Sequence, residues 1–371
     1  MRIIKEEIKL YCKYFNGYKP CKPHKDHGVH CKDCKYYSPI GKKILIIKKG
    51  AAGEVIRNTP LLRKIKEQFD NPYIVWITDY PELVPSDYVD EIRKFNWENI
   101  YLTENERFDI VFSLDKEKES CLLAKRVKSK IKKGFILNDD LKIIPIDNDS
   151  YHKFLTGIFD DLMKENKKHY IEEIFEICGY KFNNEKYILP RYEKFNIKKT
   201  KPVIGLNTGA GVRWKTRIWP KENWIKLARM LNKKYTVILL GGPDEDKINK
   251  EISRKTKALY FGVLPYSKFI GLMNECDVIV TSISFAFHVA IGLKKPTVAF
   301  VNIFPKNEFY TYDVPVIILE PNLPCQSCYK SVFDDKCMVK NCMEIITPEK
   351  VYEAIEKVRK DETKAYPILR Y

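Results

Sequence analysis

From residue 43 onward, short apolar runs alternate with stretches of helical period. Lys43 to Lys48 (KILIIK) is a continuous apolar run closed by lysines, the pattern of a strand buried on both faces. A helix is expected from about Thr59 to Phe69, with Leu61, Leu62, Ile65 and Phe69 at helical spacing. Strands follow at Tyr73 (YIVWIT), Phe108 (FDIVFSL) and Lys132 (KKGFIL). Residues 151–178 read as helical, with Phe154, Ile158, Phe159 and Leu162 on one face, and the polar stretch 183–201, broken by Pro190, reads as a linker.

The second half repeats the alternation more cleanly. Strands are expected at Val203 (VIGLN), Thr236 (TVILLG), around Leu259, at Val278 (VIVTS), Thr297 (TVAFV) and Val316 (VIIL). Helices fall between them at 221–232, from near Glu245, at 266–274 and around His288. Thr347-Pro348-Glu349 is an N-cap with proline at the first helical position, opening a helix that turns Val351, Ala354, Ile355 and Val358 inward. Strands spaced by helices imply parallel sheets with right-handed crossovers, and ligands of such sheets sit beyond the carboxyl ends of the strands.

At 371 residues the chain holds about two domains. The expected division is a cysteine-rich appendage over 1–42, a Rossmann-like domain over 43–190, a second over 191–346 with a cysteine finger at 325–342, and a helix and tail over 347–371. No apolar run approaches the roughly 18 residues of a membrane span, and the start lacks a signal-peptide core, so the expected place is the cytoplasm, or the inner face of a membrane. A formal net charge of +17 favours acidic partners: nucleotide phosphates, an anionic membrane surface or nucleic acid.

Cysteine usage adds chemistry. Cys12, Cys21, Cys31 and Cys34 cluster near one end, and Cys325, Cys328, Cys337 and Cys342 near the other, each group with a Cys-x-x-Cys pair. In a cytoplasmic chain such groups are metal sites more often than disulfides, so structural zinc, iron or an iron–sulfur cluster is expected at each, with His24, His27 and His30 inside the first. Cys121, Cys178 and Cys276 sit in apolar contexts as small core residues. Basic neighbours raise the option of nucleic-acid binding, but no recognition-helix pattern follows either cluster.

Both buried-strand runs flow through a glycine turn into a helix: Lys49-Gly50-Ala51-Ala52-Gly53-Glu54, and Thr208-Gly209-Ala210-Gly211-Val212-Arg213. Small residues let a backbone approach a ligand, and a helix N-terminus offers N–H groups to an anion. Neither turn spells G-x-G-x-x-G or a Walker loop. The second half instead carries Gly205 to Gly211 (GLNTGAG), Arg213-Trp214-Lys215, Arg217-Ile218-Trp219-Pro220, Leu239 to Glu245 (LLGGPDE) and Thr281 to Ala290 (TSISFAFHVA). With Gly50 to Leu62 in the first half, these motifs resemble the heptosyltransferase-like glycosyltransferases of family 9, over about Lys43 to Lys360.

The resemblance implies a GT-B fold, two facing Rossmann-like domains of parallel sheets, to which the cysteine knots are added. It implies inverting transfer of a heptose-like sugar from a nucleotide diphosphate such as ADP-heptose, without a catalytic metal, to a glycan, lipid-linked or protein acceptor. Carried over position by position, it makes Glu54 the catalytic base, with Arg57 one turn on for the acceptor. Donor contacts fall to Thr208, Gly209, Ala210, Arg213, Arg217, Gly242, Glu245, Ser282, Ser284 and His288. A departing diphosphate gains negative charge, which is why cations and N–H donors belong there. Two positions depart from the family: its usual aspartate five residues before His288 is Ile283, and its usual glycine three before is Phe285. The competing expectation is a GT-B binding or scaffold protein that has lost turnover and keeps structural metal sites.

Overall fold

The structure is a computed structural model that describes residues 7–211, 215–328 and 342–360. By contact the chain divides into two compact units: Met1–Lys49, Leu61–Pro81 and Ser86–Asp147 form the first, and Gly50–Pro60, Glu82–Pro85 and Asn148–Tyr371 the second. This division falls near residue 147 rather than at 190. The reason is that the helices of 148–177 pack with one another and with the helix that begins at Ala52.

In the first unit, α1 (Lys22–His27) belongs to the cysteine-rich appendage, which precedes β1 (Lys43–Ile47). A bridge between Cys12 and Pro39 ties the appendage together, and Lys13 Nζ donates to the Pro72 carbonyl (2.6 Å). The chain then runs through α2 (Ala52–Asn58), counted with the second unit, and α3 (Pro60–Gln68). The helix expected from about Thr59 to Phe69 is α3, and α2 before it ends where Pro60 has no N–H to continue the ladder. Next come β2 (Tyr73–Thr78), β3 (Glu91–Lys94), α4 (Trp97–Glu104), β4 (Arg107–Ser113), α5 (Lys118–Arg126), β5 (Lys128–Leu137) and β6 (Ile143–Pro145).

The sheet order is β3-β2-β1-β4-β5-β6, parallel except for the last pair. β1 pairs on both sides, Ile44 with Ile74 and with Ile110, which explains its unbroken apolar run. Beyond the ends of β1 and β4, Lys48 and Asp115 form a buried ion pair at 2.6 Å.

In the second unit, α6 (Asn148–Ile158), α7 (Asp160–Glu165) and α8 (Tyr170–Ile177) replace the one long helix expected. The apolar face expected there is not buried: Phe154 is half-buried, and Ile158, Phe159 and Leu162 are exposed. A segment without helix or strand then leads to β7 (Val203–Asn207), as the polar linker pattern anticipates. The alternation continues through α9 (Lys221–Leu231), β8 (Thr236–Leu240), α10 (Asp246–Thr256), β9 (Leu259–Tyr260), α11 (Tyr266–Asn274), β10 (Val278–Ser282), α12 (Phe285–Gly292), β11 (Thr297–Phe300), β12 (Val316–Leu319) and α13 (Pro348–Arg359).

All strands of this sheet are parallel, in the order β12-β11-β10-β7-β8-β9. Its core joins Ile204, Leu206, Leu239, Val280 and Val298 of the strands to Trp219, Trp224 and the buried face of α13. Thr347 caps α13 as expected, accepting from the Lys350 N–H. Cys121, Cys178 and Cys276 are buried core residues. Both units are α/β with parallel-dominated sheets, as a GT-B fold requires. Among the described residues no helix is long and apolar enough to cross a membrane.

Candidate active site

Strand order reverses direction between β7 and β10, the place where an open α/β sheet holds its ligands. The two strand ends are locked together there: Asn207 Nδ2 donates to Thr281 Oγ1 (3.1 Å) and to the Gly209 carbonyl (3.0 Å). This asparagine, buried at the end of an apolar strand, escaped the sequence reading. Its signal was the single polar side chain closing VIGLN.

The first glycine turn after β7 is shaped by its neighbour after β8. Thr208 is buried, and its hydroxyl donates to Asn249 Oδ1 (2.7 Å) on α10. Asn249 Nδ2 in turn donates to the Leu240 carbonyl (3.2 Å). Glu245 accepts from the Gly242 N–H (2.8 Å), a helix-capping bond, and its carboxylate lies close over Gly209, so that a Cβ there would require the Glu245 side chain to move. Gly209, Ala210, Gly242 and Glu245 therefore share one patch, while Arg213 lies outside the described residues.

Around the β10–α12 turn, Arg217 Nη2 donates to the Ile283 carbonyl, and Ser282 Oγ donates to the Arg217 carbonyl (3.4 Å). Ile283 is buried, so the position contributes its backbone rather than a carboxylate. Phe285 packs edge-on to Tyr266 at 5.0 Å. Ser284 stands at the N-cap of α12 without a side-chain bond to the helix, its Oγ 3.3 Å from Thr281 Oγ1. A helix start left uncapped by its own serine offers N–H groups to an anion.

His288, one turn into α12, is 5% exposed. Its Nδ1 lies 3.2 Å from the Tyr187 hydroxyl. Burial, then the cations Arg57 and Arg217, push its pKa well below the ordinary histidine value, so the ring is neutral at physiological pH.

The turn before α2 reaches the same ring. α2 packs against α12, and a Cβ on Gly53 would lie 3.0 Å from His288 Cδ2 and 3.3 Å from Phe285 Cα. Glycine is what allows the two helices to approach this closely. Glu54, the next residue, is half-buried in the first turn of α2.

Arg57, 6% exposed, stacks its guanidinium 3.4 Å from the Tyr170 ring centre and donates from Nη2 to Glu308 Oε1 (2.9 Å). Burial opposes its charge, but Glu308, Tyr170 and Glu54 outweigh that and hold its pKa above the ordinary arginine value. Asn58 Nδ2 bonds the Glu54 carbonyl (2.7 Å) and the Tyr170 hydroxyl (3.0 Å). Tyr170, Tyr187 and Glu308 were missed by the sequence reading, because each lies in a stretch without motif and meets α2 or α12 only through folding.

The cysteine clusters divide. Cys12, Cys21, Cys31 and Cys34 are all half-buried, and Cys325, Cys328 and Cys342 are described, but Cys337 lies outside the described residues. Among the described residues no three histidine, cysteine or acidic side chains are gathered as a metal ion would require.

The sequence profile described as glycosyltransferase family 9 (heptosyltransferase) matches residues 102–337, which includes every donor candidate but neither Glu54 nor Arg57. No curated protein matches the chain. Among solved structures, the chain is similar to the ADP-heptose lipopolysaccharide heptosyltransferase II of E. coli (18% identity, TM-score 0.63, covering 86% of this chain and 99% of that one). It is also similar to a family 9 glycosyl transferase from Veillonella parvula (17% identity, TM-score 0.62, 86% and 97%). A third similar structure is an iron-containing dodecameric glycosyltransferase from enterotoxigenic E. coli (11% identity, TM-score 0.55, 88% and 80%). These neighbours share the fold, and the family profile spans more than half of the chain: the protein belongs to glycosyltransferase family 9, the heptosyltransferase family, and is a glycosyltransferase.

Proposed function

We propose that the enzyme transfers a heptose-like sugar, with inversion, from a nucleoside diphosphate donor of the ADP-heptose kind. The observation that carries the reading is the gathering of Arg217, Ser284 and neutral His288 around the uncapped start of α12, beside the glycine turns after β7 and β8. An acceptor hydroxyl oxygen attacks the anomeric carbon, the bond from that carbon to the diphosphate oxygen breaks, and Glu54 takes the hydroxyl proton. Negative charge grows on the diphosphate, where Arg217, the His288 N–H and the helix start stabilise it without rearranging. Similarity to a protein named as an ADP-heptose enzyme supports adenine and heptose as the donor's parts.

For the acceptor, the reading is a glycan, a lipid-linked core or a protein side chain, with Arg57 and its ion pair bordering the catalytic turn. We extend the reading to the cytoplasm and an anionic membrane surface, supported by exposed Tyr11 and Tyr18 among lysines, Lys19 lying 4.9 Å over the Tyr18 ring. Structural zinc or iron at the two cysteine clusters completes it, supported by thiolate spacing and by the iron of one fold neighbour.

The test is direct. ADP, and ADP-heptose more strongly, should raise the melting temperature of the protein, while UDP should not. Arg217→Ala should lower kcat/KM with ADP-heptose by about 2 to 4 kcal/mol of transition-state stabilisation. Full activity and unchanged ADP affinity in that variant would remove Arg217 from the site.

A further inference from the structure

We propose that Tyr187 is a positioning residue of this site: its phenol donates to His288 Nδ1, fixes the imidazole proton on Nε2, and so presents a neutral N–H donor to the bound anion. The inference rests on the reading of His288 as a contact of the donor's diphosphate.

Tyr187 comes from the segment between α8 and β7 that has neither helix nor strand, yet it is held from both sides. The Ile188 N–H donates to Thr59 Oγ1 (2.9 Å), and Tyr312 stands edge-on to the Tyr187 ring at 5.3 Å while bonding the Glu185 carbonyl (2.9 Å). The phenol therefore reaches His288 from a fixed place. Burial raises the Tyr187 pKa above the ordinary tyrosine value, so the group is a protonated phenol.

Two arrangements fit a 3.2 Å contact: phenol donating to Nδ1, or Nδ1–H donating to the phenol oxygen. An imidazole nitrogen is a better acceptor than a phenol oxygen, and a phenol is the better donor, which favours the first. Arg57 on α2 and Arg217 beside the β10–α12 turn both oppose a second proton on the ring. Glu54, also on α2, is the carboxylate in the adjoining turn. Neutral His288 can then donate only through Nε2.

Nε2, on the other edge of the ring, has no hydrogen bond among the described residues and is left for that role. The contact of Nδ1 with Tyr187 is the side-chain hydrogen bond of His288 among the described residues. Cδ2, the ring atom next to Nε2, is the one that faces Gly53, 3.0 Å from where a Cβ would stand. The first turn of α2 thus withholds a side chain from the edge that Tyr187 arms. A histidine in this setting recognises an anion as an N–H donor, with its tautomer chosen by a buried neighbour rather than by pH.

The experiment is nitrogen NMR of the whole protein labelled at its six histidines, with His288 assigned by His288→Gln, alongside calorimetric titration with ADP. In the wild type His288 should appear as the neutral Nε2–H tautomer. Tyr187→Phe should shift the Nδ1 resonance as its hydrogen bond is lost and weaken ADP binding about ten-fold, the scale of one charge-assisted bond. A wild-type Nδ1–H tautomer, or Tyr187→Phe with the wild-type spectrum, overturns the positioning role. Wild-type ADP affinity in His288→Gln overturns the donor reading of His288 instead, and with it the purpose assigned to Tyr187. Wild-type affinity in Tyr187→Phe alone overturns the proposal while leaving His288 in the site.

Discussion

Replacing Arg57 and Glu308 singly and together would measure how α2, which carries the proposed base, is held. Both side chains are at least nine-tenths buried and meet through a single bond of 2.9 Å. Charges about 4 Å apart at an effective dielectric of about 20 attract by about 4 kcal/mol. Desolvating each ion costs several kcal/mol, so the intact pair is close to break-even. Its geometry is also incomplete, since Arg57 Nε and Glu308 Oε2 are buried without a hydrogen-bond partner.

Each single change strands one buried charge. Glu308→Leu should therefore cost about 3 to 5 kcal/mol. Arg57→Met should cost at least as much, because it also removes a desolvated stack on Tyr170 worth about 2 kcal/mol. The double variant leaves no stranded charge and should cost much less than the sum, a coupling of about 2 kcal/mol or more. A chain of two compact units need not unfold in one step, so urea unfolding is best followed by hydrogen exchange of peptides from α2 and α8. Simple additivity of the two single costs would refute the account.

Three further outcomes follow from the site. Glu54→Gln should keep ADP affinity while transfer falls by about two orders of magnitude or more, and a wild-type single-turnover rate would put the base elsewhere. Gly53→Ala should weaken ADP binding and destabilise by about 1 to 3 kcal/mol through overpacking on His288, partly offset by about 1 kcal/mol of helix propensity; an unchanged melting temperature would show that the helices yield. Cys31→Ser and Cys328→Ser should each lower bound metal, read by elemental analysis, and lower the melting temperature; folded, metal-free wild-type protein with free thiols would end the metal reading.

The alternation of strand and helix was legible because most strands are buried on both faces and so carry unbroken apolar runs, as β1, β7 and β10 do. β3 was not, because it reads Glu-Ile-Arg-Lys: Arg93 is buried by its bonds to Glu91 and Thr103, a polar solution that no hydrophobic pattern announces. β6 is only three residues long. The donor motifs drew attention to these turns, yet not to their wiring. Glu245 and Thr208 were read as ligand contacts, while the structure spends one oxygen of the first on the Gly242 N–H and the hydroxyl of the second on Asn249. Long-range partners such as Tyr187 to His288, separated by 101 residues, have no local signature at all.

The allegiance of α2 has a consequence for anyone recombining such enzymes. By sequence, Gly50 to Pro60 looks like the opening of the N-terminal half, and a chimera exchanging that half would transplant it with the rest. By contact, it is built into the other one, through α12, Tyr170 and Glu308. A graft that carries foreign residues 50–60 would bring an unmatched partner to His288 and leave Glu308 without its cation. Crossovers placed on either side of this segment, so that it stays with its native C-terminal sequence, keep the proposed base and the anion site as one inherited part, and the rest of the N-terminal half becomes the exchangeable one.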